Sequence, residues 1–401
     1  MKAIGLTCGI GSMLIGARQT GFGIVGNIEW RPYYHWEDDQ GRNTFTENFG
    51  RAFMIHEIGE LSKEEIRGLK GIDLAMGHPE CGNYSNLRPK KTSMLKNPGD
   101  IPLFCELVGQ IKPRFFVQDN LPKSLIGFTI QEWQEALPDY DLFPEWISNY
   151  HYGNSQLFRR RFFMIGALKQ EQFVFRSGEF EHIKHLQHVI KGLPPKRDLK
   201  AINHVHVKDK DQLHGFSPHH FAETRGEKMV TLKMFKEVIR DYPPKKNFMY
   251  YNKDGKQNLK PGYSKIVLDN TCPVMTGGGS VIDNHYRADT LNPLTMRERA
   301  RIQGCPDDFI FYPLDYLRDF KTYSAVYKQL GKFMPVEFCV YVAKQIAAHI
   351  QGKKFKPITD TRLINPNPYI NEAKQWYCQE VGYKPKARQK EICQACWLSC
   401  K

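Results

Sequence analysis

"KAIGLTCGIGSMLIGARQTGFGIVGNIEW", residues 2–30, is the stretch from which the fold follows. Its opening run is short and apolar and stops at a glycine turn, which predicts a strand. "SMLIGARQTG" then carries apolar residues at helical spacing, and "GIVGNIEW" reads as a second strand. Strand, turn, helix and strand make a βαβ unit with Gly9 and Gly11 at the first turn. Glycines there let the backbone approach a ligand at a helix N-terminus. Glu29, twenty residues after Gly9, ends the second strand, where a carboxylate accepts hydrogen bonds from a ribose diol. An adenosine-containing cofactor is expected. Leu14 stands where the dinucleotide fingerprint has its third glycine, which argues against a nicotinamide oxidoreductase.

The same alternation continues outward. "GIDLAMG", "IPLFCELVGQI", "RFFVQDN" and "RFFMIGA" extend short apolar runs and amphipathic segments to residue 166, predicting an α/β chain with a doubly wound sheet. From 167 to 286 the character changes, and nine of the fourteen His fall there. Helical spacing returns in "LTMRERARIQG" and "PVEFCVYVAKQIAAHI". The chain is therefore expected to build one domain from 1–166 and 287–352, to insert a smaller domain at 167–286, and to end in a connector and Cys-bearing tail at 353–401. At 401 residues there is ample length for this.

No stretch approaches the roughly 20 apolar residues of a membrane span, and the N-terminus lacks a cleavage-site pattern. Ten irregularly spread Cys suit a reducing, cytoplasmic setting. A net charge of +14 favours a polyanionic partner. A membrane protein and a disulfide-built secreted protein are excluded as classes.

Five segments carry chemistry: "GHPECGNYSNL" (77–87), "KPRFFVQDNLP" (112–122), "GNSQLFRRRFFMIG" (153–166), "LNPLTMRERARIQGCPDDF" (291–309) and "YKQLGKFMP" (327–335). In this order they resemble the motifs of the cytosine carbon-5 DNA methyltransferase family: its Gly-x-Pro-Pro-Cys loop, its Glu-Asn-Val, its Gln-x-Arg-x-Arg, its Leu-Thr-x-Arg-Glu helix and its Gly-Asn segment. The resemblance implies a Rossmann-like methyltransferase sheet, a target-recognition domain at 167–286, S-adenosylmethionine as cofactor, and double-stranded DNA as partner to a monomeric enzyme. It implies Cys81 as the nucleophile that adds to carbon 6 of a flipped cytosine, because carbon 5 is too poor a nucleophile without covalent activation. Asp119 would bind ring nitrogen 3, while Arg159 and Arg161 would hold the base edge and phosphate and lower the thiol pKa. By the same resemblance Cys8, Gly9, Ile10, Gly11, Ser12, Glu29, Trp30, Glu57, Ile58, Gly77, Pro79, Gly331 and Lys332 surround the cofactor. Ser85, Asn86, Arg88, Gln156, Gly277 and Gly278 would face the nucleic acid. Thr295 and Glu298 form a potential capping box, so the "LTMRERARIQG" helix also has a purely structural reading.

The chain departs from the family pattern at Glu80 and Gly82, which flank the thiol, at Asp119 in place of Glu, at Thr7 and Ser12 in the cofactor turn, and at Lys332 in place of Asn. A cation at 332 repels a sulfonium unless it turns to solvent, and attracts an anionic group on the transferred carbon. Carboxy-S-adenosylmethionine and carboxymethyl transfer are thus an alternative to plain methyl transfer. An RNA substrate and a catalytically silent DNA-binding relative are the remaining alternatives. The tail holds Cys378, Cys393, Cys396 and Cys400, a set suited to zinc, with an iron–sulfur cluster or unligated thiols as the other readings.

Overall fold

The structure, a computed structural model, describes residues 1–29, 41–50, 53–55, 61–84, 96–148, 152–154, 156, 159–177, 189–193, 249–251, 257–259, 264–266, 285–287, 296–312, 320–334 and 336–355. The quoted opening folds as read: β1 (Lys2–Leu6), α1 (Ser12–Gln19) and β2 (Gly23–Ile28). Next come α2 (Thr44–Phe49), β3 (Phe53–Ile55), α3 (Lys63–Gly68) and β4 (Leu74–Gly77). They are followed by α4 (Ile101–Ile111), β5 (Phe115–Asn120), α5 (Ser124–Gly127), α6 (Ile130–Ala136), β6 (Tyr140–Ser148) and β7 (Arg160–Leu168). Three short helices begin at capping boxes supplied by Asn43, Ser62 and Thr129.

One seven-stranded sheet results, in the order β3-β2-β1-β4-β5-β7-β6. The first five strands pair in parallel. β7 then runs antiparallel to both β5 and β6. The central strands are buried on both faces, so they read as unbroken apolar runs rather than as alternation.

On one face α1 and α9 (Val336–Ile350) pack over Phe115, Val117, Phe163 and Ile165. On the other, α4 and α6 bring Phe104, Leu107, Val108 and Trp133 against Phe116, Phe162 and Met164. Each such side chain contributes about 2 kcal/mol relative to exposure. A third cluster joins α1 to α7 (Met296–Ile302) and α8 (Phe320–Gly331) through Ile15, Ala300, Phe309, Leu330 and Phe333. These helices, from the C-terminal half of the chain, pack beside the sheet through α1.

The sheet and its core continue past residue 166. Residue 166 falls inside β7, and Phe173 and Phe175 belong to the sheet's core. Arg176 is tied to α9, its N–H donating to Gln345 and its carbonyl accepting from Tyr341. Between β7 and α7 four short strands are described: Met249–Tyr251 with Gln257–Leu259 antiparallel, and Ser264–Ile266 with His285–Arg287 parallel. The tail cysteines lie outside the described residues.

Candidate active site

The chain runs outward from β1 through β2 to β3 and then crosses to β4 on the other side of β1. Ligands bind at such a switch point, beyond the C-terminal ends of the strands. A cleft opens there, lined by Thr7, Cys8, Gly9, Ile10, Glu29, His78, Glu80, Asp100, Gln329, Lys332 and Met334.

Its floor is the turn after β1. Thr7, Gly9 and Gly11 all have positive φ, at 61°, 56° and 86°, an unfavourable conformation for a β-branched residue. The end of β2 holds this turn in place. Asn27 Oδ1 accepts from Cys8 N–H at 3.1 Å, Asn27 Nδ2 donates to the Gly9 carbonyl at 3.1 Å, and Glu29 Oε2 accepts from Gly9 N–H at 2.8 Å. A Cβ on Gly9 would meet no atom within 4 Å, so the backbone borders open space. Gly11 has no such room, since a Cβ there would lie 2.4 Å from Phe49. These features fit a nucleoside-bearing cofactor: an open cradle of backbone, an acidic rim at Glu29 and an apolar wall of Ile10 and Met334. Ser12 and Cys8 contribute framework. Ser12 Oγ accepts from Met334 N–H at 3.0 Å, and the Cys8 thiol donates to the Met76 carbonyl at 2.9 Å. Burial, with Glu29 nearby, pushes the Cys8 thiol well up.

Gly77 ends β4 where a side chain is impossible without movement, because a Cβ would lie 2.3 Å from Phe104 and 2.5 Å from the Leu6 carbonyl. His78, Pro79, Glu80 and Cys81 follow. Cys81 is partly exposed, as a reactive thiol must be, while Cys8, Cys105, Cys305 and Cys339 are buried. Burial alone would push the Cys81 thiol up. The charge of the nearby His78 ring, together with those of Arg161 and Lys332, outweighs burial and brings it down to about 6.

Asp119, at the end of β5, is fully buried. Arg161 Nε donates to its Oδ1 at 2.8 Å and Nη2 contacts Oδ2, while His78 Nδ1 lies 2.8 Å from Oδ2. Burial opposes ionisation of Asp119, but the Arg161 charge and the His78 hydrogen bond prevail and hold its carboxyl below the usual range. His78 moves the other way. Against burial, the Cys81 sulfur and Asp119 push its imidazole up to about 9. Lys332 lines the cleft and acts on Cys81.

Two residues expected to touch nucleic acid are turned inward. Arg159 is buried, its guanidinium contacting Gln303 Oε1 and the Phe333 carbonyl. Burial and the neighbouring Arg161 lower its pKa to about 10. Gln156, also buried, donates through Nε2 to the Ile302 carbonyl at 2.9 Å and to Gln303 Oε1 at 3.0 Å. Both brace the turn after α7 against the strand that carries Arg161. The arginines of α7 are structural too: Arg297 donates to the carbonyls of Pro306 and Phe309, and Arg299 lies over the Tyr327 ring.

The structure thus brings together Cys81, Asp119 and Arg161 with the Gly9–Glu29 turn and Lys332. Pro79 is beside them, its carbonyl 3.4 Å from Asn120 Nδ2, and Gly331 closes α8 just before Lys332. Trp30, Glu57, Ile58, Ser85, Asn86, Arg88, Gly277, Gly278 and Thr295 lie outside the described residues. Sequence reasoning missed His78 and Gln303. His78 occupies the unspecified position of the Gly-x-Pro-Pro-Cys pattern, and only its three-residue distance from Cys81 pointed to it.

Residues 1–348 match the family described as C-5 cytosine-specific DNA methylase. The chain belongs to that family. Among curated relatives of these methylases it is 26% identical to the type II methyltransferase M.FnuDI of Fusobacterium nucleatum, covering 88% of this chain and 96% of the relative. It is 24% identical to the type II methyltransferase M.MthTI of Methanothermobacter thermautotrophicus, covering 86% and 96%. Among solved structures, the Dnmt2 methyltransferase of S. pombe superposes with a TM-score of 0.53 at 15% identity, covering 88% of this chain and 100% of that one. The fold is therefore that of the methylase family, and the family implies S-adenosylmethionine as cofactor. Among the described residues no helix is long and apolar enough to cross a membrane.

Proposed function

We propose that the protein is a DNA (cytosine-5)-methyltransferase that attacks its base through Cys81. The carrying observation is that a partly exposed thiol, with its pKa brought down to about 6, stands beside the cofactor cleft and the Asp119–Arg161 pair. A thiolate is the nucleophile that addition at carbon 6 requires.

Carbons 5 and 6 of a paired cytosine are out of reach inside a duplex, so the substrate is a base taken out of the stack. Cys81 adds to carbon 6, and the ring's π electrons move to carbon 5. Arg161, held in place by Asp119, supplies a positive charge beside the thiol to offset the negative charge that builds up on the ring as sulfur adds. Bound S-adenosylmethionine supplies an electrophilic methyl carbon, with Gly9, Gly11 and Glu29 as the residues to hold its adenosine portion. Loss of the carbon-5 proton and departure of the Cys81 sulfur then return the enzyme. The basic balance of the chain, +14, supports a polyanionic substrate. The test is nucleoside mass spectrometry of duplex DNA treated with the protein and S-adenosylmethionine. 5-Methylcytosine is expected, and its absence from DNA covering all sequence contexts would overturn the proposal.

A second reading concerns the group transferred. Lys332 lies on the cleft wall, close enough for its charge to act on Cys81. A carboxylate on the transferred carbon would find a cation there, which favours carboxy-S-adenosylmethionine as a substrate. Supplying both cofactors in competition decides it: a carboxymethylcytosine mass supports this reading, and methylcytosine alone removes it.

A further inference from the structure

We propose that His78 is a catalytic residue of this site, holding the Cys81 sulfur as a thiolate in an imidazolium–thiolate pair that Asp119 braces from the other side of the ring. The proposal rests on the reading of Cys81 as the nucleophile and adds the group that ionises it.

The geometry comes from three elements. His78 leaves the end of β4 three residues before Cys81, close enough for its charge to act on the sulfur. Its Nδ1 lies 2.8 Å from Asp119 Oδ2 and 3.1 Å from the Asp119 carbonyl, both acceptors. Arg161 Nη2, a donor, lies farther from the same nitrogen, at 3.3 Å. Two acceptors at short range against one more distant donor fix Nδ1 as protonated. With Nδ1 given to Asp119, Nε2 is the ring atom left for the sulfur. A carboxylate, an imidazole and a thiol in series form the arrangement by which a buried base is oriented and its cation stabilised.

The proton balance closes. The Cys81 thiol proton moves to His78, giving thiolate and imidazolium. The sulfur pair forms the bond to carbon 6 of cytosine, and carbon 5 accepts the methyl group that S-adenosylmethionine carries. Water takes the carbon-5 proton, the bonding pair returns to sulfur, and the thiolate meets the imidazolium that has waited through the cycle. His78 is charged at the start and at the end, so no proton has to be found for it.

The other charged groups facing the pair are Asp119 from β5, Arg161 from β7, Arg159 just before it, Lys332 after α8, and Glu29 and Glu80 on the cleft wall. Arg161 and Lys332 also favour the thiolate, so loss of His78 raises the thiol pKa without restoring an ordinary value.

The test follows the rate of Cys81 alkylation by iodoacetamide against pH, read on the Cys81 peptide by mass spectrometry. The native protein is expected to alkylate with a midpoint near 6, and His78→Gln to move that midpoint up by at least about one pH unit. An unmoved midpoint overturns the proposal. Should His78→Gln fail to fold, NMR titration of His78 in the native protein and in Cys81→Ser takes its place: the sulfur's removal lowers the His78 midpoint, and identical midpoints overturn the pair. Neither experiment needs DNA. A shifted midpoint with no methylation would leave the pair standing and remove the methyltransferase reading, and methylation with an unmoved midpoint would do the reverse.

Discussion

Arg161 and Asp119 meet diagonally across β7 and β5, on the sheet face that α1 and α9 cover. The guanidinium grips both carboxylate oxygens, and neither side chain has more than a trace of exposure. Removing one partner takes the principal counter-charge from a buried ion, which costs about 3–5 kcal/mol. Asp119→Ala is expected to lose about that much in urea unfolding, and Arg161→Met a similar amount. The double variant should lose less than the sum, and strict additivity would show that the pair is not coupled.

The same pair sets an acid limit. A carboxyl whose folded pKa is depressed contributes stability that is present above its unfolded value, about 3.9, and is lost as pH falls through the folded value. Unfolding free energy of the native protein should fall as pH drops below about 4, and Asp119→Asn should fall less steeply over the same interval. Parallel curves would remove Asp119 as the source.

Gln303 accepts from Gln156 and Arg159 and donates to the Leu330 carbonyl at 3.0 Å. Gln303→Ala takes a partner from a buried guanidinium and is expected to cost about 2–3 kcal/mol in chemical denaturation. It should also slow methylation, because the strand it braces carries Arg161. Full activity with native stability would show the brace to be dispensable.

How much of this was legible in sequence depends on how local each feature is. The β1–α1–β2 unit and its glycine turn could be read directly, because apolar period, glycines and Glu29 lie within 30 residues of one another. That Cys81 follows a strand end was legible too, since β4 stops at Gly77. The inward roles of Arg159 and Gln156 were not, since their partner Gln303 lies more than 140 residues away. Their residue types suggest phosphate and base contacts, and only the packed α7 turn shows where their hydrogen bonds go. His78 was hidden for a related reason: an imidazole is informative only once Asp119, from another strand, is set beside it.

At the cleft, Lys332→Asn is expected to raise the Cys81 pKa by removing one of its favourable charges. The same variant should keep methyl transfer while losing any turnover of the carboxylated cofactor. Retained carboxymethylation in Lys332→Asn would show that Lys332 does not recognise the carboxylate.

The central claim, that Cys81 bonds to carbon 6 of cytosine, is tested most directly by trapping on duplex DNA carrying 5-fluorocytosine. Fluorine replaces the proton that must leave carbon 5, so the enzyme remains attached after transfer. With S-adenosylmethionine present, the native protein is predicted to give a denaturant-resistant protein–DNA adduct whose cross-linked peptide contains Cys81, and Cys81→Ala to give none. No adduct from the intact protein on DNA that covers all sequence contexts, or an adduct that survives Cys81→Ala, would contradict it.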